Sequence, residues 1–464
     1  QVVKGISRGQ ASSEPAGLTA WGGALYFAAE DAVHGRELWK SDGSEGGTLL
    51  VEDVYPGATG SDPSGFAAHG EWLLFSADDG SHGRELWRTN GTTAGTTLLA
   101  DIQPGAPGSA PISLLAAGPN VFFSADDGVV GRELWASDGT GVGTRLVKDL
   151  GTPSYWSSSP ALAGAVGNVA IFVANDNAHG SELWGSDGTE VGTVLLGDLN
   201  AGPGNCDCAG FASAGGLLFF RASGIGTGSE LWRTDGTAPG TQRVADISPG
   251  AGSSSPSSLT YAAGTLYFVA SGGSNASAFQ LWKSDGTGPG TVLVRDFGLT
   301  RSYDAQSRPI DVLWGVAGGA LAFGADDGAG GPELWRSEGT GPTTSPLTNR
   351  VSVSSNPAST VLFGGQWYFG ADDGVHGFEL WKSDGTEAGT FQVKDIRPGS
   401  ASSTPQALFA TAGFLLFSAD DGVHGRELWK SDGTEAGTVL VKDLLPSYGS
   451  SGPYISAPHS FVAL

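Results

Sequence analysis

The chain has 464 residues, including 76 Gly and 24 Pro, and its 24 basic and 48 acidic side chains give a net charge of −24. This charge repels nucleic-acid phosphates and anionic membrane surfaces, which argues against both as partners. The sequence contains no run of about 18 apolar residues, so no membrane-spanning helix is predicted. The chain begins at Gln1 and has no Met, which predicts a processed, exported protein.

The two ends of the chain carry incomplete pieces of a repeat. Residues 1–15 match residues 391–405, which form the last strand and the following linker of a full repeat, and residues 453–464 resemble a first strand. Propellers often remove exposed strand edges by building one blade from both termini. We therefore expect both terminal segments to take part in ring closure.

Nine full repeats lie between these ends, each with a variant of Glu-Leu-Trp-x-Ser-Asp-Gly-Thr-x-x-Gly-Thr. Successive repeat tryptophans are 46 to 53 residues apart, a period typical of propellers and solenoids. They are Trp39, Trp87, Trp135, Trp184, Trp232, Trp282, Trp335, Trp381 and Trp429. Because the repeat covers almost the whole chain, residues 1–464 are predicted to form a single domain.

The last full repeat shows the elements of one unit. Residues 405–413, 414–419, 426–430 and 439–443 have the pattern of four short antiparallel strands, called a to d below. The predicted fold is all-β, a single large β-propeller of four-stranded blades. Nine blades are favoured, and a ring of ten positions with a composite last blade is the alternative. Each tryptophan is expected to pack between adjacent blades rather than to bind sugars.

The loop between strands b and c has the fullest form Asp-Asp-Gly-x-His-Gly. Paired carboxylates beside a Gly turn suit Ca²⁺, and they also suit a turn that is held by its own side chains. The candidate calcium ligands are Asp78, Asp79, Asp126, Asp127, Asp326, Asp327, Asp372, Asp373, Asp420 and Asp421.

The position five residues before each tryptophan tests the role of histidine. It is His in five repeats and a different residue in four. The five histidines are His34, His82, His179, His376 and His424, and the other four repeats have Val130, Thr227, Ser277 and Gly330 at this position. Such exchange indicates capping or packing of a loop rather than proton chemistry. No catalytic residue is predicted.

Departures from the repeat are the clue to a specific ligand surface, and drift in an unimportant linker is the alternative explanation. The loops of repeats five and six lack the acidic pair, and the linkers before repeats four, five and seven are irregular. The predicted ligand-binding rim consists of Tyr155, Trp156, Arg301, Tyr303, Asp304 and Arg308. Only Cys206 and Cys208 are cysteines, and a disulfide, two free thiols and a weak metal site all remain open.

The segments Glu379–Thr390 and Glu427–Thr438 both read ELWKSDGTEAGT, and this motif resembles the repeat of the bacterial ELWxxDGT-repeat proteins. The resemblance covers essentially the whole chain, with departures at Gln280, Glu338 and Thr343. It implies a propeller-like protein that is secreted or attached to the bacterial cell surface.

The predicted function is a non-enzymatic extracellular binding or scaffolding propeller that recognises a protein or glycan at the cell surface or matrix. A propeller enzyme acting on an extracellular polysaccharide and a self-assembling coat or filament subunit are the alternatives. The sequence contains no Ser-His-Asp signature, no nucleophile elbow and no zinc motif. The extra end segments suit self-association into a homo-oligomer through strands donated between chains.

Overall fold

The structure is a computed structural model. It describes residues 13–151, 156–262, 264–272, 278–300, 313–317, 320–328, 331–347 and 357–442, together with Lys4, Ile6, Pro153 and Ser355.

Nine four-stranded antiparallel sheets form the described chain, and they are numbered here in chain order. Sheets 1 to 5 contain, four strands each, β1 Ala16–Trp21, β2 Ala24–Asp31, β3 Gly35–Ser41, β4 Leu49–Glu52, β5 Ser64–His69, β6 Trp72–Asp78, β7 Arg84–Thr89, β8 Thr97–Ala100, β9 Ile112–Ala117, β10 Asn120–Asp126, β11 Arg132–Ser137, β12 Arg145–Lys148, β13 Ala161–Val166, β14 Val169–Asn175, β15 Ser181–Ser186, β16 Val194–Gly197, β17 Ala209–Ala214, β18 Leu217–Gly224, β19 Gly228–Thr234 and β20 Gln242–Ala245. Sheets 6 to 9 contain β21 Ser257–Ala262, β22 Thr265–Ala270, β23 Ala278–Ser284, β24 Val292–Thr300, β25 Leu313–Ala317, β26 Ala320–Ala325, β27 Glu333–Ser337, β28 Ser345–Pro346, β29 Ala358–Phe363, β30 Gln366–Asp372, β31 Phe378–Ser383, β32 Phe391–Lys394, β33 Gln406–Ala410, β34 Leu415–Asp420, β35 Arg426–Ser431 and β36 Val439–Lys442.

Two short 3₁₀ helices, at Thr93–Gly95 and Gly341–Thr343, are the helical elements of the described residues. Neither they nor any other helix in that part of the chain is long and apolar enough to cross a bilayer. The prediction of an all-β fold built from four-stranded repeats is confirmed.

Every sheet is a meander in which each strand pairs with the next strand in sequence. In sheet 1, Phe27 on strand b lies opposite Trp39 on strand c, and Trp39 lies opposite Leu50 on strand d. The alternation of side chains along a strand places these three apolar side chains on one face. The same register, with a Phe of strand b opposite the repeat tryptophan, is found in sheets 2, 3, 4, 6, 7, 8 and 9.

The described chain forms two compact units. Residues up to 226 and residues 232–243 belong to the first unit, and residues 227–231 and those from 244 onward belong to the second. Within the first unit the core lies between successive sheets. Trp87 of sheet 2, for example, shares a buried cluster with Tyr26, Leu38 and Val51 of sheet 1. In the second unit, Trp381 of sheet 8 shares its cluster with residues of sheet 7.

Burial of the indoles follows from this packing. Seven of the nine repeat tryptophans have exposed fractions between 1% for Trp335 and 9% for Trp87 and Trp135, and Trp232 and Trp282 are half-buried. A buried indole removes about 150–250 Å² from water. The predicted packing between neighbouring sheets is confirmed for seven repeat tryptophans: Trp87, Trp135, Trp184 and Trp232 in the first unit and Trp335, Trp381 and Trp429 in the second.

The Ser-Asp-Gly-Thr part of the motif forms the turn between strands c and d. In sheet 1, Asp42 Oδ1 accepts the Ser44 N–H at 2.8 Å, and the Ser41 and Thr48 hydroxyl oxygens are 2.7 Å apart. Gly43 has φ of 88°, a left-handed conformation that favours Gly. The Lys40 ammonium donates to Gly91 O at 2.6 Å, in the corresponding turn of sheet 2. These turns therefore have a structural role and also link adjacent sheets.

Candidate functional site

The acidic side chains of the b–c loops bind the backbone of their own loops. In sheet 2, Asp78 Oδ1 accepts the Gly80 N–H at 2.7 Å. Asp79 Oδ1 accepts the N–H groups of Ser81 and His82, both at 2.8 Å, and His82 Nδ1 lies 2.7 Å from Asp79 Oδ2. Both oxygens of Asp79 are therefore occupied inside the turn, as is usual for Asp in such loops.

The Asp–His pair of sheet 2 recurs in both units. The distances from His Nδ1 to Asp Oδ2 are 2.7 or 2.9 Å in the pairs Asp31–His34, Asp79–His82 and Asp176–His179 of the first unit and Asp373–His376 and Asp421–His424 of the second. Hydrogen bonding to Asp79 raises the pKa of His82. Desolvation raises the pKa of Asp79, but the hydrogen bonds from His82 outweigh it, and the net pKa is lowered. The pairs hold the loops and are partly exposed.

This geometry bears on the proposed calcium ligands, all ten of which lie in the described residues. No group of three or more His, Cys, Asp or Glu side chains in the described chain is arranged to hold a metal ion. The hydrogen bonds favour the interpretation that the carboxylates shape the turn. Calcium binding stays a prediction.

Of the predicted ligand-binding rim, only Trp156 lies in the described part of the chain. Trp156 is 53% exposed, and its backbone N–H donates to Pro153 O at 3.0 Å. The other five predicted rim residues, Tyr155, Arg301, Tyr303, Asp304 and Arg308, lie outside the described residues. The structure therefore does not test whether these six residues form one surface, and the rim stays a prediction.

Sequence reasoning missed the role of the glutamate in the Glu-Leu-Trp motif. Glu37 is 0% exposed and accepts four hydrogen bonds from the linker that follows sheet 1. Its Oε1 accepts the N–H groups of Tyr55 and Ser61 at 3.0 and 2.8 Å. Its Oε2 accepts the Val54 N–H at 3.2 Å and the Ser61 hydroxyl at 2.5 Å. We call such a residue a linker glutamate, because it anchors the linker to strand c.

The same serine hydroxyl bond recurs in most sheets. The pairs of serine and linker glutamate are Ser61–Glu37, Ser109–Glu85, Ser158–Glu133, Ser254–Glu230, Ser355–Glu333 and Ser403–Glu379. Each serine is followed by one variable residue and a proline. In five of the six linkers the backbone of the variable residue is left-handed, as in Asp62, which has φ of 49°. The Ser-x-Pro segment is thus a fixed part of the linker.

Burial and hydrogen bonding have opposite effects on these glutamates. Desolvation by burial raises the pKa of Glu37, and the Ser61 hydroxyl and the linker amides oppose that effect. Desolvation likewise raises the pKa of Glu85 and Glu379, and a serine hydroxyl and linker amides again oppose this rise. The serine hydroxyl is the strongest of the opposing hydrogen bonds in all three cases.

The linker between sheets 4 and 5 departs from this arrangement. Cys206 and Cys208 occupy the places of the serine and the proline, and Asp207 between them has φ of 48°, as the variable residue has elsewhere. The two cysteines form a disulfide with their Cα atoms 5.1 Å apart, which selects one of the three states that the sequence left open. Cys206 is 0% exposed and Cys208 is half-buried.

The linker glutamate of sheet 4 loses donors as a result. Glu182 is 0% exposed, and two hydrogen bonds to it are recorded, from the Leu199 N–H at 2.9 Å and the Asn200 N–H at 3.2 Å. The Cys206 N–H donates to Ser181 O at 2.9 Å, and the disulfide sulfur has no hydrogen to donate. Desolvation by burial is the main reason that the pKa of Glu182 is raised, to about 7; Asp198 adds to the rise, and the two amides and His179 oppose it.

The b–c loop beside the disulfide is also altered. The Ser223 N–H donates to Cys206 O at 2.6 Å. In sheet 2 the corresponding donor to the linker is the N–H of Asp78, which bonds Ser61 O at 3.1 Å. The acidic pair is thus replaced by Ser223-Gly224, and the next residue, Ile225, is 65% exposed. The disulfide therefore faces a loop without carboxylates, unlike the other linkers of the first unit.

Comparisons with known proteins found no matching family model and no matching curated protein. Solved structures do match. The computationally designed Ika8 protein has 17% identity and a TM-score of 0.36, with 78% of this chain and 94% of that chain covered. A puromycin-hydrolyzing peptidase of Mycobacterium tuberculosis has 12% identity and a TM-score of 0.33, with 73% and 53% covered. An acylaminoacyl peptidase of Pyrococcus horikoshii has 9% identity and a TM-score of 0.31, with 72% and 52% covered.

The chain thus spans about half the length of these two peptidases. The predicted function, a non-enzymatic extracellular binding or scaffolding propeller, is contradicted by this finding, because both natural proteins are named as hydrolytic enzymes. The prediction was wrong for a physical reason: the repeat dictates strands and turns, and the same strands and turns serve enzymes and binding proteins alike. TM-scores of this size support no assignment of peptidase activity to this chain.

Proposed function

We propose that the linker between sheets 4 and 5 is a thiol–disulfide exchange site and that the chain is a redox-active β-propeller. The observation that carries this proposal is the replacement of Ser-x-Pro by the Cys206–Cys208 disulfide beside the buried Glu182. Both cysteines of the chain are used at this one position. A purely structural need for the linker is met elsewhere by serine and proline, so the cysteines supply chemistry that the fold does not require.

The exposure of the two cysteine residues sets the proposed direction of the reaction. Cys208 is half-buried and Cys206 is buried, so an external thiolate attacks Cys208 Sγ. A bond forms between the external sulfur and Cys208, the bond to Cys206 breaks, and its electron pair passes to Cys206 Sγ. A second external thiolate then attacks the sulfur of the first external thiol in the mixed disulfide and releases Cys208 as a thiolate. Two external thiols are oxidised to a disulfide, and the protein disulfide is reduced to two thiols.

The neighbouring loop suits such a substrate. Small biological thiols carry carboxylates, and an acidic pair in the b–c loop would repel them. That pair is absent at Ser223-Gly224, where the exposed Ile225 offers an apolar contact instead. The proposed substrate class is a small thiol or its disulfide, which meets the exposed carboxylate of Asp207 between the two cysteines.

For the fold, we propose that the nine sheets are the blades of one propeller ring. Successive packing of sheets through their tryptophans within each unit supports this. Nine blades closed by residues 1–15 and 453–464 lead, with ten positions as the alternative. Membership of the bacterial ELWxxDGT-repeat family, export, Ca²⁺ binding and self-association also stay predictions.

The test is the reduction of the folded protein in buffers of reduced and oxidised glutathione at neutral pH. Samples are quenched with acid and alkylated, and the mass increase counts the free thiols. We expect two thiols to appear while the near-ultraviolet circular dichroism stays native, with a fraction that follows the glutathione ratio.

The matched control is the double variant Cys206→Ser, Cys208→Pro, which restores the Ser-Asp-Pro of residues 61–63. It should fold, show no added mass and melt at the same temperature with and without reductant. A wild-type disulfide that resists millimolar dithiothreitol until the protein unfolds would show a structural staple and overturn the proposal.

A further inference from the structure

The proposed exchange reaction needs a proton donor for the buried sulfur that leaves. Resting on that proposed function, we infer that Glu182 passes a proton to and from Cys206 and so makes the exchange site responsive to pH. This adds a proton-transfer residue and a form of regulation to the site.

The position of Cys206 relative to Glu182 supports the assignment. In sheet 1, the residue 24 positions after the linker glutamate is Ser61, whose hydroxyl lies 2.5 Å from Glu37 Oε2. Cys206 is 24 positions after Glu182, and both are 0% exposed. In six other sheets the serine of Ser-x-Pro, which lies 22 to 25 positions after the glutamate, places its hydroxyl within hydrogen-bond reach of the carboxylate.

The surviving hydrogen bonds of Glu182 show which part of the arrangement is missing. Its Oε2 accepts the Leu199 N–H at 2.9 Å and its Oε1 the Asn200 N–H at 3.2 Å, as the two oxygens of Glu37 accept the first two linker amides. The two donors that are absent are the amide and the side chain of position 206. A Cys206 thiol, formed on reduction, supplies the missing side-chain donor.

The proton then follows the electron pair. When an external thiolate attacks Cys208, the protonated Glu182 carboxyl gives its proton to the departing Cys206 thiolate. When the site is reoxidised, the Glu182 carboxylate takes the proton of Cys206, and the resulting thiolate attacks the mixed disulfide at Cys208. Glu182 begins and ends each cycle in the same state, as a general acid and base must.

The surroundings place the protonation change near neutrality. Burial raises the pKa of Glu182 to about 7. The titratable or charged side chains on the b–c loop of sheet 4, the following linker and strand b of sheet 5 are Asp176, His179, Asp198, Asp207 and Arg221. Of these, Asp198 raises and His179 lowers the pKa of Glu182. Protonated Glu182, the form that assists reduction, is thus present below about pH 7 and lost above it.

The experiment compares reduction rates of wild type and Glu182→Gln by glutathione across pH. The ratio of the two rates cancels the changing thiolate fraction of glutathione. We expect wild type to be reduced about ten times faster than Glu182→Gln, or more, near pH 6, and this ratio to fall to about one above pH 8. Gln280 holds the equivalent place in sheet 6, so the fold accepts glutamine there. The matched control, Glu133→Gln in sheet 3, should give a ratio of one at every pH.

The outcomes separate this inference from the proposed function. Reduction of the folded protein with a ratio that is flat with pH keeps the exchange site and overturns the role of Glu182. A disulfide that does not react while folded overturns both. A second measurement needs no variant: in wild type, the equilibrium with glutathione should change its dependence on pH near pH 7, and an unchanged dependence through that range would contradict the inference.

Discussion

The linkers after sheet 1 and sheet 4 occupy the same place in the repeat and differ in how they treat a buried carboxylate. Glu37 accepts four hydrogen bonds, including one from the Ser61 hydroxyl at 2.5 Å. Glu182 accepts two recorded bonds, beside the Cys206–Cys208 disulfide. A buried charge is tolerated when it is fully hydrogen-bonded, and it titrates near neutrality when it is not. The difference shows how one anchor of the fold can be converted into a reactive group.

The largest effect is expected from removing the anchors themselves. Glu37→Ala leaves three linker amides and a hydroxyl without their acceptor and should cost about 3–5 kcal/mol of unfolding free energy. Glu182→Ala leaves fewer hydrogen-bond donors without an acceptor and removes a poorly solvated charge, so its cost should be about half as large. Chemical unfolding of both variants at neutral pH measures the two costs. Equal losses would show that the two linkers do not differ in the way described.

Restoring the common Ser-x-Pro linker after sheet 4 should give it the properties of the linker after sheet 1. In Cys206→Ser, Cys208→Pro, the new hydroxyl donates to Glu182, so the pKa of Glu182 should fall. Wild-type stability should decrease as pH rises from 4.5 to about 7, because the folded state binds the Glu182 proton more tightly than the unfolded state. That decrease should shrink in the double variant. Melting temperatures across this range test it, and an unchanged slope would contradict the assignment to Glu182.

A smaller change should make sheet 1 resemble sheet 4. Ser61→Ala removes one hydroxyl from Glu37 and should cost about 1–2 kcal/mol. Since the hydroxyl stabilises the charged form, the pKa of Glu37 should rise, and the loss should be greater at pH 8 than near pH 5. Stability curves at the two pH values measure this. Ser81→Ala, in an exposed loop, is the control and should have little effect at either pH.

The smallest effect is expected in the b–c loops, where the charged pairs are partly exposed. Hydrogen bonding to Asp79 raises the pKa of His82, so the pair stabilises the fold fully below about pH 6.5, the unfolded value, and loses this contribution as pH rises through the folded pKa. His82→Gln should therefore lower the melting temperature at about pH 6 and have less effect at about pH 8. A loss that grows with pH would contradict this interpretation.

The repeat allowed much of the fold to be predicted. The four strands of each sheet follow from alternating apolar residues and Asp-Gly turns, which are local signals. The packing of Trp87 against sheet 1 also followed, because a large apolar side chain at the same strand position needs a neighbouring sheet to cover it. The loop role of the histidines agrees with the observed Asp–His pairs.

The candidate site was only partly foreseen. The irregular segment around Cys206 and Cys208 was noticed, but Glu182 was not linked to it. A constant spacing of 24 residues between the glutamate and a serine in most repeats would have been a usable signal. The predicted rim rested on exposed irregular residues, whose positions depend on long linkers rather than on the repeat.

The amino-acid sequence by itself determined the four-strand order of each repeat and the buried side of its strands, because these depend on residues close together along the chain. Only the tertiary structure decided that Glu37 and Glu182 are buried under their linkers and that Cys206 takes the place of a hydrogen-bonding serine. Burial and donor count depend on groups far apart in sequence, and they set the chemistry of a carboxylate more strongly than its neighbours in the motif do.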